Sequence, residues 1–280
     1  MSLPADFMGR IFYILQKYGV SFLRGAGNTL LIALVSTLVG CIIGFAVGIV
    51  QTIPSERKDQ PVRWALLCVA RFLLNVYVEV FRGTPMMVQA MFIYYGASML
   101  FGINMSMWQA ALLIVSINTG AYMAETVRGG ILSIDLGQTE GAKAIGMTHV
   151  QTMLFVILPQ ALRNIMPQIG NNLIINIKDT CVLSVIGVVE LFYTTKGVAG
   201  AYYTYFEAFT VAMVIYFILT FGCSRLLRWW ESRMDGPDSY ELYDLATTDT
   251  LAHTTGMYSY PSKPKAGTQN SDIRDGGAVI

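Results

Sequence analysis

Hydrophobic residues in this 280-residue chain run in long uncharged blocks rather than alternating with polar ones. Crossing a bilayer core of about 30 Å takes about 20 residues of helix, because unpaired backbone groups are not tolerated in hydrocarbon. The first block of that size is Gly25 to Ser55. Its centre, Thr29 to Val50, carries Gly40, Gly44 and Gly48 at a spacing of four, a smooth stripe that lets a second helix approach closely. Thr84 to Ala124 is 41 residues without a charge, the length of about two crossings, with Gly96, Ser98, Gly102, Asn104 and Ser106 marking a turn between them. The third span runs from Trp108 to about Arg128. The last, Ala208 to Ser224, is closed by Arg225 and Arg228, with Trp229 and Trp230 as interfacial anchors.

Two stretches do not read as simple spans. Arg63 to Gly96 as one helix would be about 51 Å long, too long for an upright crossing. Its first half is expected to be an elbow at the interface, with a break at Gly83, Thr84 and Pro85 before the true span begins. Met166 to Glu190 can cross only if it carries Lys178 and Asp179 inside it. Each such charge costs about 2.5 to 3.5 kcal/mol at mid-membrane, so the pair is expected to face protein or water. The N-terminal segment 1–24 places Ile11, Phe12, Ile14, Leu15 and Tyr18 around Arg10 and Lys17, the pattern of a short amphipathic helix at a membrane surface. The fold class is therefore all-α, a polytopic membrane protein with five spans near residues 27–50, 72–96, 107–128, 166–190 and 207–227. A polar segment, 133–163, separates the third and fourth.

Composition agrees: 54% of residues are hydrophobic and 13% charged, about half the usual charge. The net charge of +1 divides into +5 over residues 1–230 and −4 over residues 231–280. A single soluble globule and a nucleic-acid binder, which needs a concentrated basic face, are both excluded. Cys41, Cys68, Cys181 and Cys223 are scattered through apolar runs without metal-ligand spacing, and read as small buried hydrophobes.

Five spans put the two termini on opposite sides. Arg128, Lys143, Arg163, Arg225, Arg228 and Arg233 lie inside if the C-terminus is cytoplasmic, and Arg57, Lys58 and Arg63 fall inside with them. Arg10, Lys17 and Arg24 are left outside. A separate sixth span at Arg63 to Phe81 would exchange the two groups of three, so charge alone does not decide between the counts. Five is preferred because no real loop separates the two halves.

The polar segment contains Glu140-Gly141-Ala142, then Gly146, then Val156-Ile157-Leu158-Pro159. This resembles the EAA signature of permease subunits of ABC importers: Glu-Ala-Ala, three residues, Gly, nine residues, then Ile-x-Leu-Pro. Spacing matches throughout, with Gly141 in place of the first Ala and Val156 in place of Ile. Locally, Glu140 to Ile145 can form a short helix, Gly146 can end it in a left-handed conformation, and a second helix can run to Pro159. Asn28-Thr29-Leu30, Val78 to Pro85 with Val88-Gln89, Asn118 to Glu125, Gly170-Asn171-Asn172, and Lys178 to Thr180 with Val185 to Leu191 resemble the polar amino acid branch of that family. The likeness extends over residues 24–230.

The resemblance implies the type I importer permease (MetI-like) fold in a bacterial inner membrane. It implies partners: cytoplasmic ABC ATPase subunits, a second permease copy or paralogue, and an extracytoplasmic solute-binding protein. Glu140, Gly141, Ala142, Gly146, Leu158 and Pro159 would couple to the ATPase. Candidate pathway residues are polar groups on apolar helices: Asn118 and Thr119, Asn171, Asn172 and Asn176, and Lys178 and Asp179. Asn172, Asn176 and Asp179 share one helix face, and Lys178 and Asp179 can pair with each other or across a permease dimer. The same polar groups could instead be interhelical hydrogen bonds that hold the bundle. Relatives carrying cationic amino acids often have Asn-Glu where this chain has Asn171-Asn172, which tilts the expectation toward a glutamine- or glutamate-like solute.

No GxxxxGK[ST] loop occurs, so ATP and Mg are expected on the partner, not on this chain. His149 and His253 lack the neighbours of a metal site or a triad, and the chain is expected to be no enzyme. The alternative, a secondary transporter or channel working without ATP, lacks a visible inverted repeat. Residues 231–280, rich in Gly, Ser, Thr, Pro and Asp, are expected to be disordered, with Tyr240 to Leu245 as a possible docking segment.

Overall fold

The computed structural model describes residue 4, residues 6–53 and residues 61–234. The expectations placed on Arg57, Lys58, His253, Tyr240 to Leu245 and the body of the acidic tail lie outside the described residues.

Every element is helical among the described residues. Helix α1 runs unbroken over Phe7–Thr52, 46 residues, capped at its start by Asp6, whose carboxylate accepts the Gly9 N–H at 2.6 Å. At 1.5 Å per residue it is about 69 Å long, more than twice a bilayer core. The amphipathic segment expected to end near residue 24 is thus continuous with the first span. Its Ile14 and Phe22 are fully buried against Leu191, Val198, Ala199, Ala208 and Val211. Its apolar stripe therefore packs on protein, while Phe12 and Leu15 point outward.

Helices α2 (Pro61–Gly83) and α3 (Met86–Phe101) meet at the expected break. Pro85 cannot donate the N–H that would continue α2, and it pushes Thr84 out of helical geometry. Residues 72–96 are consequently not one continuous helix. Trp64–Gly83 is by itself long and apolar enough to cross, whereas the 16 residues of α3 are shorter than a span. The elbow expected over Arg63 to Gly83 is the helix with span length. α3 ends at Gly102 (φ +65°), and Ser106 with Gln109 forms a reciprocal capping box opening α4 (Met107–Leu132).

The polar segment folds as α5 (Leu136–Ala144), then a turn, then α6 (His149–Gln151). α6 passes through one π-helical stretch, Thr152–Ile157, into α7 (Leu158–Asp179). Pro159 was expected to end a helix, yet the chain continues through it. The π register sets in just before Pro159 and widens the turn its ring would otherwise crowd. After Asp179 the helix tightens to a 3₁₀ stretch, Thr180–Ile186, and turns at Gly187 (φ +85°). Helix α8 (Leu191–Tyr202) then leaves at 55° to the preceding helix. Helix α9 (Tyr205–Met234) is the last. Counting the bent pair once, five segments have span length and apolarity, among the described residues.

The principal seam joins α1 to α4. A Cβ at Gly40 would lie 2.6 Å from that of Thr119, one at Gly48 2.8 Å from that of Val127, and one at Gly44 would collide with Met123. Both rows repeat every four residues, so the stripe read in the sequence meets a matching row on α4. Gly120 returns the fit from the other side, against Ile43 and Tyr77. Backbones this close leave no room for relaxation, and overpacking costs about 1–3 kcal/mol or more. Gly44→Leu is expected to abolish α1–α4 packing. Thermal unfolding of purified protein in detergent should show a fall of several degrees or no folded species, whereas Gly27→Ala, at an open position, leaves the melting curve unchanged.

Candidate functional site

The proline break sets up the site. Pro85 has no N–H for the Phe81 carbonyl, and the Val88 N–H turns to Pro85 instead of Thr84. Both carbonyls would stay unpaired in an apolar setting, at about 1–3 kcal/mol each. Gln89 closes the gap: its Nε2 donates to the Phe81 carbonyl at 2.9 Å, to the Thr84 carbonyl at 2.8 Å and to Thr84 Oγ1 at 2.8 Å. From α4, Asn118 Nδ2 donates to the Phe81 carbonyl at 3.2 Å and to Gln89 Oε1 at 2.9 Å. The α2–α3 corner is thereby tied to α4.

A second polar knot ties α7 to the glycine seam. Asn176 Nδ2 donates to Thr37 Oγ1 on α1 at 2.7 Å and to Thr119 Oγ1 on α4 at 2.9 Å, all three side chains being buried. One turn away, Asn172 Nδ2 donates to the Gln168 carbonyl at 3.0 Å and contacts Met123 Sδ at 3.1 Å. A third knot centres on Glu190, fully buried at the start of α8. Its carboxylate accepts the N–H groups of Phe192 (2.8 Å) and Tyr193 (2.6 Å) and the Tyr216 hydroxyl (3.0 Å), with Thr29 at 3.5 Å. Asn28 donates to the Val189 carbonyl at 2.7 Å. Asn28-Thr29 and Glu190-Leu191, far apart in sequence, are one contact in space.

Between the first two knots lies a cleft of about 500 Å³, large enough for a small solute. Its walls bring together Asn118, Thr119, Asn172, Asn176 and Asp179 with Arg82 and Thr84 at the α2–α3 corner. Two expected pathway residues stand apart: Asn171 and Lys178 are exposed and do not line it. Lys178 and Asp179 form no ion pair within the described residues, since adjacent helical residues point in different directions. Arg82, unassigned from sequence, is paired with Glu125 and sits over the Tyr122 ring at 5.6 Å. Gln89, visible in sequence only as part of a family stretch, is the residue that makes the corner possible.

The donors of all three asparagine amides are thus engaged inside the protein. What the cleft offers a solute is acceptor oxygen, the Asp179 carboxylate and, at the corner, one guanidinium. Asn118, Thr119, Asn172 and Asn176 thus fasten the bundle and also line its cavity.

At the far end of α4 the α5–α6 hairpin is closed by Gly146 (φ +84°), with Gly146 N–H donating to the Lys143 carbonyl at 3.0 Å and Met147 N–H to the Ala142 carbonyl at 3.1 Å. This is a Schellman closure, which favours glycine. Ala142 and Ile157 face inward, Glu140 and Gly141 outward. A Cβ at Gly141 would touch nothing, so glycine and alanine are equally accommodated there. The outer side exposes Leu136, Ile145, Val150, Leu154 and Phe155, the last at 73%.

Residues 68–236 match the family described as binding-protein-dependent transport system inner membrane component. The chain is 37% identical over 213 residues to the glutamine transport system permease protein GlnP of Escherichia coli, covering 76% of this chain and 92% of that one. It is 35% identical to the arginine transport system permease protein ArtQ of Bacillus subtilis, covering 70% and 84%. A crystal structure of an amino acid ABC transporter with histidines superposes with a TM-score of 0.70 at 34% identity, over 82% of this chain and 99% of that chain. The MetNI methionine ABC transporter in an inward-facing form shares the fold, with a TM-score of 0.59 at 21% identity. With its apolar helices, its hairpin and these likenesses, the chain belongs to the family of binding-protein-dependent transport system inner membrane components, the permease subunits of ABC importers.

Proposed function

We propose that this permease passes a neutral, polar α-amino acid of the glutamine type through the cleft between α2–α3, α4 and α7. The observation that carries the reading is the hydrogen-bond inventory of the cleft: acceptors and the Asp179 carboxylate on the α4–α7 side, the Arg82 guanidinium at the corner. An α-ammonium group brings three donors to the first, and an α-carboxylate suits the second. A side-chain amide adds two further donors for the remaining acceptor oxygens. A second carboxylate, as in glutamate, would face acceptors without donors, so of the two solutes expected from sequence the amide is favoured.

The α5–α6 hairpin docks on a cytoplasmic ABC ATPase, which supplies the ATP and Mg site. Its exposed Leu136, Ile145, Val150, Leu154 and Phe155 form an apolar surface without a partner among the described residues, beside Glu140, Gly141 and Gly146. Leu158 and Pro159 join the hairpin directly to α7, which carries Asn172, Asn176 and Asp179. A push on the hairpin therefore reaches the cleft through one continuous helix. A second permease copy or paralogue completes the pathway, a solute-binding protein delivers from the opposite face, and the hairpin and C-terminus lie on the cytoplasmic side.

Three outcomes are expected. In proteoliposomes of the complete transporter, excess unlabelled glutamine suppresses labelled glutamine uptake at least about tenfold more effectively than equal glutamate, in line with the cost of an unpaired buried polar group. Arginine competing as well as glutamine would overturn the neutral assignment. Asp179→Asn lowers equilibrium binding of labelled glutamine to the solubilised complex by about tenfold or more. Gly146→Val, forcing a β-branched residue into the left-handed region, lowers solute-stimulated ATP hydrolysis and uptake together, while Gly141→Ala leaves both within error.

A further inference from the structure

A second cavity, of about 440 Å³, lies beside the cleft and is walled by Gln51, Arg71, Asn75, Val78, Glu79, Glu125 and Arg128, with Arg82 common to both. Along α4, Glu125 and Arg128 lie seven and ten residues beyond Asn118, about 10–15 Å closer to the hairpin end. Three arginines and two glutamates gather at one cavity beside apolar spans, where ionisable groups mark a functional site, and structural pairing does not account for them. Arg82 pairs with Glu125, but Arg71, Arg128 and Glu79 have no ion-pair partner among the described residues. The Arg71 Nε is buried without a hydrogen-bond partner. Asn75 and Gln51 are bonded to each other at 2.9 Å across α2 and α1.

We infer that this cavity is a second binding station for the transported zwitterionic α-amino acid, reached from the cleft by exchange of the Arg82–Glu125 ion pair. The inference rests on the reading of the cleft as the solute site. Separating Arg82 from Glu125, whose side chains are 40% and 47% accessible, would leave both charges without their partner between apolar spans. An α-amino acid carries the two opposite charges needed, on neighbouring atoms. Its carboxylate replaces Glu125 at Arg82 and its ammonium replaces Arg82 at Glu125, so the path opens with every charge still paired. Beyond the exchange, Arg71 and Arg128 receive the carboxylate and Glu79 the ammonium. A purely anionic ligand, such as a lipid phosphate, fits less well, because Glu79 and Glu125 would repel it.

The test uses the complete transporter in proteoliposomes. R71Q/R128Q is expected to lower uptake at saturating glutamine at least about tenfold while equilibrium binding to the solubilised complex stays within about twofold, the pattern of a step after binding. R71K/R128K, which keeps the charges, should retain more than about half of the uptake. Normal uptake by R71Q/R128Q, or equal loss in the Lys and Gln variants, overturns the second station. As a check independent of the arginines, N75C in a cysteine-free background should react with a charged methanethiosulfonate at least about fivefold more slowly under saturating glutamine. Absence of protection overturns the proposal even where R71Q/R128Q fails to assemble. Asp179→Asn separates the two readings. If it retains both binding and uptake, the cleft assignment falls and this inference with it; if it loses binding while R71Q/R128Q transports normally, only the second station falls.

Discussion

The close approach of α1 to α4 is the constraint from which the rest of the bundle follows. Three glycines on one helix meet Thr119, Met123 and Val127 on the other, at distances no side chain could share. In a bilayer, packing of this kind does the work that the hydrophobic effect does in water. It also sets chemistry. Because the backbones touch at Gly40 and Thr119, Thr37 and Thr119 are near enough for one asparagine of α7 to bond both. The seam therefore fixes where α7 sits, and α7 carries four of the residues that line the cleft.

A second constraint is that backbone polar groups at membrane depth must be paired within the protein. Two interruptions among the described residues are matched to side chains that satisfy what they free. Pro85 orphans the Phe81 carbonyl, and Gln89 and Asn118 take it. The first turn of α8 leaves N–H groups open, and Glu190 as its cap takes two of them. The cleft opens beside the first of these breaks. Asn118, which helps repair the backbone, thus also lines the cleft.

Several of these features were legible along the chain. The glycine stripe, the break at Gly83 to Pro85, the turn before Ser106 and the left-handed Gly146 each follow from one residue type and its spacing. The shared face of Asn172, Asn176 and Asp179 follows from helical periodicity and recurs as one wall of the cleft. Other features were not legible. Pro159 looked like a terminator because a π-helical adjustment has no sequence signature. Segment 1–24 looked interfacial because amphipathicity does not say whether its apolar side meets lipid or protein. Of the two pairings open to Lys178 and Asp179, with each other or across a permease dimer, the first does not form, because neighbouring helical residues diverge.

By itself the sequence determined the all-α membrane class, the family and the hairpin, since these depend on local runs, local spacing and turn residues. Only the tertiary structure decided which polar residues face one another. Arg82 and Glu125 are 43 positions apart, and Thr37 and Asn176 139 apart. Their meeting depends on helix crossings set by glycine contacts and on a proline break whose direction no local pattern specifies.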